Sequence, residues 1–301
     1  MPETFAVIDD DEIPITTYRW ETDGPTRGLV HVAHGLGEHA LRYDRFARAL
    51  NAAGYTVTAH DQRAHGRSAE ETGGLGHLGP RGMEGTIDSL HAVTRVVHDA
   101  VTDVPFFLLG HSWGSMLAQK FALRREGAEQ ADAADRTPNR LAVEPAQGIR
   151  PGAWAGELTG LVLSGTTLME PDFLPPADLN APFAPAATDY DWLSRDVDEV
   201  RKYVDDPRCG FQPDFPFEEM AYLLGGPTDA VPADLPILIV NGSVDPVGGE
   251  AGGAALADAY RAVGVRDVMF HVYSGARHEL FNETNRDEVV ADLISWLEHH
   301  S

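Results

Sequence analysis

The feature that most constrains this chain is a continuous apolar run, Val104 to Gly110, that ends in Gly110-His111-Ser112-Trp113-Gly114 and passes at once into a helical stretch, Ser115 to Leu123. An unbroken apolar run of this length is the pattern of a strand buried on both faces, as in a parallel sheet covered by helices. Gly-x-Ser-x-Gly in the turn between such a strand and a helix has the context of a nucleophile elbow. There the serine is lifted above the sheet edge on a strained corner. Side chains two residues before and two after would collide, so Gly110 and Gly114 are required. The Trp113 amide, opening the helix, then points where an oxyanion would develop.

The flanking sequence repeats the alternation of strands and helices. Strands are expected over Ile13 to Trp20, Gly28 to His34, Tyr55 to His60, Leu235 to Asn241 and Asp267 to Tyr273, with helices over Leu41 to Ala53, Met83 to Val101 and Glu250 to Val263. Within Met83 to Val101, Ile87, Leu90, Val93, Val97 and Val101 recur at helical spacing. A final helix is expected to start at Asn285, an N-cap with Glu288 three residues on, and to bury Val289, Leu293, Ile294 and Leu297. This order implies an α/β fold with a mostly parallel, doubly wound sheet. The core is expected over residues 1–166 and 235–301. Two stretches interrupt it: a surface excursion over 125–155, rich in Ala, Glu, Asp, Arg and Pro, and a Pro- and aromatic-rich insertion over 167–234, too long for a simple loop. Helical pieces are expected in the insertion at Asp196 to Val204 and Phe217 to Leu224.

A serine nucleophile needs a base, an acid that orients the base, and a second oxyanion donor. In this kind of sheet the order is Ser, Asp or Glu, then His, and catalytic groups gather at the carboxyl ends of the strands. Asp245 lies just past the run Leu235 to Val240, in a turn marked by Gly242 and Pro246, and His278 lies beyond Val268 to Tyr273. His278 is expected to take the Ser112 proton and Asp245 to fix the imidazole. The turn His34-Gly35-Leu36-Gly37-Glu38-His39 follows an earlier strand and can present the Leu36 amide to the same pocket, with His34 and His39 as structural residues. Glu279 is expected to face elsewhere, and Asp61 to Ser68 to be a structural loop.

Composition narrows the partners. A formal charge of −24 disfavours nucleic acid and anionic lipid, both bound chiefly through cationic patches. The longest apolar runs fall far short of the roughly 20 residues that span a bilayer. The N-terminus has neither a basic region nor an apolar stretch before a cleavage site, and with the single cysteine, Cys209, this makes a cytoplasmic location the expectation. No metal-ligand spacing and no phosphate-cradling loop is found, so no cofactor and no metal is expected.

Taken together, His34-Gly-x-Gly-Glu-His39 with Arg42-Tyr43, Asp61-x-Arg-x-His-Gly-x-Ser68, Gly110-His-Ser-x-Gly114, Asp245 and His278-Glu279 resemble the monoacylglycerol lipase and lysophospholipase group of α/β hydrolases, often filed as serine-aminopeptidase-like. The resemblance runs from about residue 10 to 299. It implies an α/β-hydrolase fold, an oxyanion hole formed by the Leu36 and Trp113 amides, and a lid over an acyl channel at 167–234, where Phe173, Leu174, Trp192, Phe211, Leu223 and Leu224 are among the large apolar residues. It also implies a small-molecule acyl ester as substrate, a monoacylglycerol or similar single-chain ester cleaved through an acyl-enzyme. The alternatives are a general carboxylesterase or acyltransferase on non-lipid esters, or a ligand-binding pseudo-hydrolase. Weak membrane contact through the lid, or a homodimer, is compatible with its apolar content. The sequence departs from the group's pattern at Ala64, where Gly is common, at Trp113, where Met is commoner, and in the length of the 125–155 excursion.

Overall fold

A computed structural model describes residues 1–123 and 158–301 of the 301-residue chain; the expected 125–155 excursion lies outside the described residues. The elements run in chain order β1 (Glu3–Ile8), β2 (Pro14–Trp20), β3 (Gly28–Ala33), α1 (Asp44–Ala52), β4 (Tyr55–His60), α2 (Ala69–Thr72), α3 (Gly82–Asp99), β5 (Phe106–His111), α4 (Trp113–Ala122), β6 (Gly160–Ser164), α5 (Val197–Asp205), α6 (Phe217–Met220), β7 (Ile237–Gly242), α7 (Gly249–Ala262), β8 (Val268–Tyr273) and α8 (Arg286–His299). The eight strands form one sheet in the order β1-β2-β4-β3-β5-β6-β7-β8. β1 and β2 pair antiparallel, as do β2 and β4, and every later pairing is parallel.

β3 to β7 are buried along their whole length, which is why β5, β6 and β7 read as apolar runs rather than as alternations, while β3 and β4 also bury polar His31, Thr56, Thr58 and His60. The alternation appears instead in which face each residue packs. Leu108, Leu161, Ile237 and Ile239 meet α3, α4 and α7 through Leu90, Leu117, Phe121 and Leu256. Phe107, Leu109, Val162 and Leu238 pack on the other face with Phe46 and Leu50 of α1 and Leu293 and Trp296 of α8. Two helical layers thus cover one sheet, as successive side chains of a strand must point to opposite faces. The fold is that of an α/β hydrolase.

The structure refines several expectations. The helix expected over Leu41 to Ala53 is a 3-10 turn, Ala40–Tyr43, followed by α1, and the helix after the elbow starts at Trp113 rather than Ser115. Phe217 to Leu224 forms only a short α6 and the 3-10 turn Ala221–Leu223. Asn285 stands at the N-cap of α8 without capping it through its side chain: Oδ1 accepts instead from Arg195 at 2.7 Å, while Nδ2 donates to Glu288 at 2.9 Å. β1 has no counterpart among the strands expected from sequence, because the acidic Asp9 to Glu12 cluster obscures the short edge strand preceding it. That cluster is a turn tied inward: Asp9 and Asp11 both pair with Arg63, which is wholly buried.

Residues 167–234 lie between β6 and β7 and carry α5, α6 and three 3-10 turns. Leu193, Val200, Tyr203, Leu223 and Val231 are buried in this insertion, and Leu174, Val197, Val204, Tyr222 and Leu224 are exposed. Among the described residues no helix is long and apolar enough to cross a membrane.

Candidate active site

Ser112 occupies the one-residue corner between β5 and α4, with φ 53° and ψ −125°. A non-glycine residue in such a region carries strain of about 1–3 kcal/mol, which the surroundings must hold in place. They do so through the backbone: the Ser112 amide donates to the Ser164 carbonyl on β6 at 2.8 Å, and the Ser112 carbonyl accepts from the Ser115 amide at 2.8 Å. The two glycines fit the expected crowding. A Cβ on Gly114 would run into the carbonyl oxygens of Ala33 and His34, and one on Gly110 into the backbone of Gly114 and Ser115.

The turn after β7 brings Asp245 against His278, which follows β8. Both Asp245 oxygens lie 3.0 Å from Nδ1 of His278, and Oδ1 also accepts from the Val247 amide at 2.9 Å. The two side chains are buried. A carboxylate only accepts, so Nδ1 carries a proton, and in the neutral ring Nε2 keeps the lone pair. That Nε2 is buried without a hydrogen-bond partner. Burial lowers the His278 pKa, but the charge and hydrogen bond of Asp245 outweigh it, and the net shift is upward. The imidazole packs between Trp192 of the insertion, at 4.9 Å between ring centroids, and His111, at 4.7 Å. The structure thus joins Asp245 directly to His278 and sets that ring against the residue preceding Ser112; no hydrogen bond connects Ser112 to His278.

The loop after β3 is pinned from several sides. His34 donates from Nδ1 to the Gly35 carbonyl at 2.8 Å and accepts at Nε2 from the Gln62 amide at 3.0 Å, a structural role of the kind expected. Glu38 accepts from the Gly35 amide at 2.6 Å and from the Tyr43 hydroxyl at 2.9 Å. Among the described residues, neither the Leu36 nor the Trp113 amide donates to a protein acceptor. Both amides are therefore unspent donors at the carboxyl end of the sheet.

Sequence reasoning did not find the ionic bridge behind this loop. Arg42 pairs with Glu38 at 2.8 Å and grips Glu279 with both terminal nitrogens, Nη2 to Oε2 at 2.8 Å, while its guanidinium lies 4.8 Å from the Tyr203 ring centroid on α5. Burial would raise the Glu38 pKa; the Arg42 charge leads the effects that hold it well below the usual carboxylate range. Asp61 to Ser68 is the structural loop expected, with Asp61 accepting from Tyr18, Ala40 and Arg67 at 2.8–3.0 Å.

One group of potential metal ligands was also invisible in the sequence: His39, Asp206 and Cys209 offer ligand atoms within 4.8 Å of one another. The Asp206 carboxylate is already taken by His39 at 2.9 Å and Arg208 at 3.0 Å. Burial pushes the Cys209 thiol up to about 12. A thiol held protonated beside an arginine-paired carboxylate is a poor cation site, since a metal takes the thiolate.

A serine on the β5 corner, an acid after β7 and a histidine after β8, in that chain order on this sheet, form the arrangement met in α/β hydrolases. The chain belongs to the family described as serine aminopeptidase, S33, whose model matches residues 24–285. It is 29% identical over 294 residues to a monoacylglycerol lipase of Mycolicibacterium smegmatis, covering 93% of this chain and 91% of that one. It is 28% identical to the monoglyceride lipase of Homo sapiens, over 88% of this chain and 79% of that one. Among solved structures, a thermostable carboxyl esterase from Bacillus coagulans in complex with glycerol superposes with a TM-score of 0.78 at 26% identity, over 99% of this chain and 98% of that one. The resemblance drawn from the motifs holds at the level of family and fold.

Proposed function

We propose that the protein hydrolyses monoacylglycerols or similar single-chain carboxylic esters through an acyl-enzyme on Ser112. The observation that carries this reading is the buried His278 imidazole: Asp245 occupies its Nδ1 and fixes the tautomer, leaving Nε2 as its free basic nitrogen. In the reaction, Nε2 takes the Ser112 proton as Oγ attacks the ester carbonyl. The negative oxygen that forms is received by the Leu36 and Trp113 amides. Collapse expels the alcohol, to which His278 returns the proton, and water activated by the same imidazole then releases the acid. Asp245 stabilises the imidazolium in both half-reactions. The 167–234 insertion, with Trp192 against His278, serves as the lid that covers the acyl chain.

The substrate class is supported by the names of the relatives that match over most of this chain. Purified protein is expected to release p-nitrophenol from short acyl esters and Ser112→Ala to abolish this; unchanged turnover in the variant ends the assignment. A second reading, a general carboxylesterase, is favoured by the likeness to the Bacillus coagulans esterase. A chain-length series run on glyceryl and methyl esters separates the two. Preference for the glyceryl headgroup supports the lipase, and indifference to it the esterase.

A further inference from the structure

Behind the two unspent amides lies a histidine to which the mechanism above gives no role. His65 is fully buried in the Asp61 to Ser68 loop. Its Nδ1 lies 2.7 Å from the Arg63 carbonyl oxygen and its Nε2 3.1 Å from the Gly37 amide nitrogen. A carbonyl can only accept and an amide N–H can only donate, so these two partners admit one form of the ring: neutral, with the proton on Nδ1. The ring also stacks on Trp113, centroids 5.1 Å apart and planes 28° from parallel, and meets Phe211 of the insertion edge-on at 5.0 Å.

We infer that His65 is a positioning residue for the oxyanion-binding amides, holding the Leu36 loop and Trp113 from a single imidazole. This rests on the reading that those two amides receive the oxyanion. Gly37, with φ +74°, follows Leu36 directly. Peptide units are planar, so fixing the direction of the Gly37 N–H fixes the plane that joins it to Leu36. That leaves only the Leu36 dihedrals to set the neighbouring amide. On its other side the same loop is held by the Gly210 amide, which donates to the Gly37 carbonyl at 2.9 Å. The Trp113 ring, stacked on His65, anchors the residue whose amide forms the second arm. One neutral ring therefore sets the spacing between two donors that come from different strands. An oxyanion hole acts through preorganised donors, so loosening the ring slows the chemical step while leaving ground-state binding in place.

The test compares His65→Leu, which removes the acceptor, with His65→Gln, whose side-chain carbonyl reaches the position of Nε2. His65→Leu is expected to lower kcat on a p-nitrophenyl ester roughly 10- to 100-fold, with KM changed less than about twofold. Affinity for a trifluoromethyl ketone, which forms a tetrahedral adduct with a serine, should weaken by the same factor. His65→Gln should recover at least half of the loss on a logarithmic scale. Unchanged kcat in a folded His65→Leu, a Gln variant no better than Leu, or a fall in kcat without loss of ketone affinity would each overturn the inference. Should the Leu variant not fold, the wild-type protein decides: 15N spectra of labelled histidine should show His65 protonated on Nδ1 and bare on Nε2, and the opposite tautomer or an imidazolium refutes the role. Ser112→Ala, measured alongside, separates the two levels. If it keeps full turnover, the acyl-enzyme reading fails; if it is inactive while His65→Leu is unimpaired, only the positioning role falls.

Discussion

Arg42, just past the loop that carries Leu36, holds Glu279, the residue next to His278, in a two-pronged ion pair across 237 positions of sequence. The same guanidinium pairs with Glu38, whose carboxylate holds the Gly35 amide. One largely buried cation thus ties the Leu36 loop to the His278 loop, two segments that come from opposite ends of the chain.

Removing that cation strands two buried carboxylates beside each other. Arg42→Met is therefore expected to cost about 3–5 kcal/mol of unfolding free energy in urea at neutral pH. Adding Glu279→Gln should recover part of the loss, since one uncompensated charge goes with it and the two sites couple directly. A loss below about 1 kcal/mol for Arg42→Met would show that the carboxylates find other partners and that the bridge is not structural.

In the proposed mechanism His278 sets the acidic limb of the activity profile. It must be neutral to accept the Ser112 proton, and in the fold its pKa lies above the ordinary 6.5. The limb of kcat/KM should therefore fall above 6.5, with activity rising with pH through it. Asp245→Asn removes the main cause of the upward shift, leaving burial to push the limb down, and should lower kcat on the order of 10⁴-fold. The stability contribution of the pair has the opposite pH sense: it is complete below the unfolded value and is lost as pH rises through the folded one. An acidic limb in the wild type below 6.5, or one that Asp245→Asn leaves in place, would contradict this assignment of the base.

Much of this was legible in the chain because the physics is local. Apolar runs name buried strands, and the glycines around Ser112 mark a corner that admits no side chain. Asp245 and His278 follow from the rule that such sheets present their chemistry at strand ends. What stayed hidden depends on partners brought together only by the sheet order. Neither Arg42–Glu279 nor Gly37–His65 has a spacing that identifies it, and a structural loop was as far as Asp61 to Ser68 could be read. The fate of Asn285 is of the same kind: a good N-cap by sequence, its oxygen is claimed by Arg195 from the insertion.

The buried histidines predict how the fold responds to acid. His31 and His60 lie side by side in the sheet, Nε2 to Nδ1 at 2.9 Å, with the second His31 nitrogen on the Thr58 hydroxyl at 2.8 Å. Burial lowers the pKa of His31 to about 3, and that of His60 is also held well below 6.5 by burial and by its neighbouring histidines. For each such group the unfolded chain binds a proton below 6.5 that the folded chain refuses. Stability must then decline as pH falls through this window, by up to about 1.4 kcal/mol per pH unit for each histidine. His34, His65 and His111 shift in the same direction, and His278 opposes them. Urea unfolding between pH 7 and 5 should show this slope, and replacing His31 and His60 together by Gln should flatten it by about two protons' worth. An equal slope in the double variant would mean that these two rings titrate alike in both states and that acid acts on the fold elsewhere.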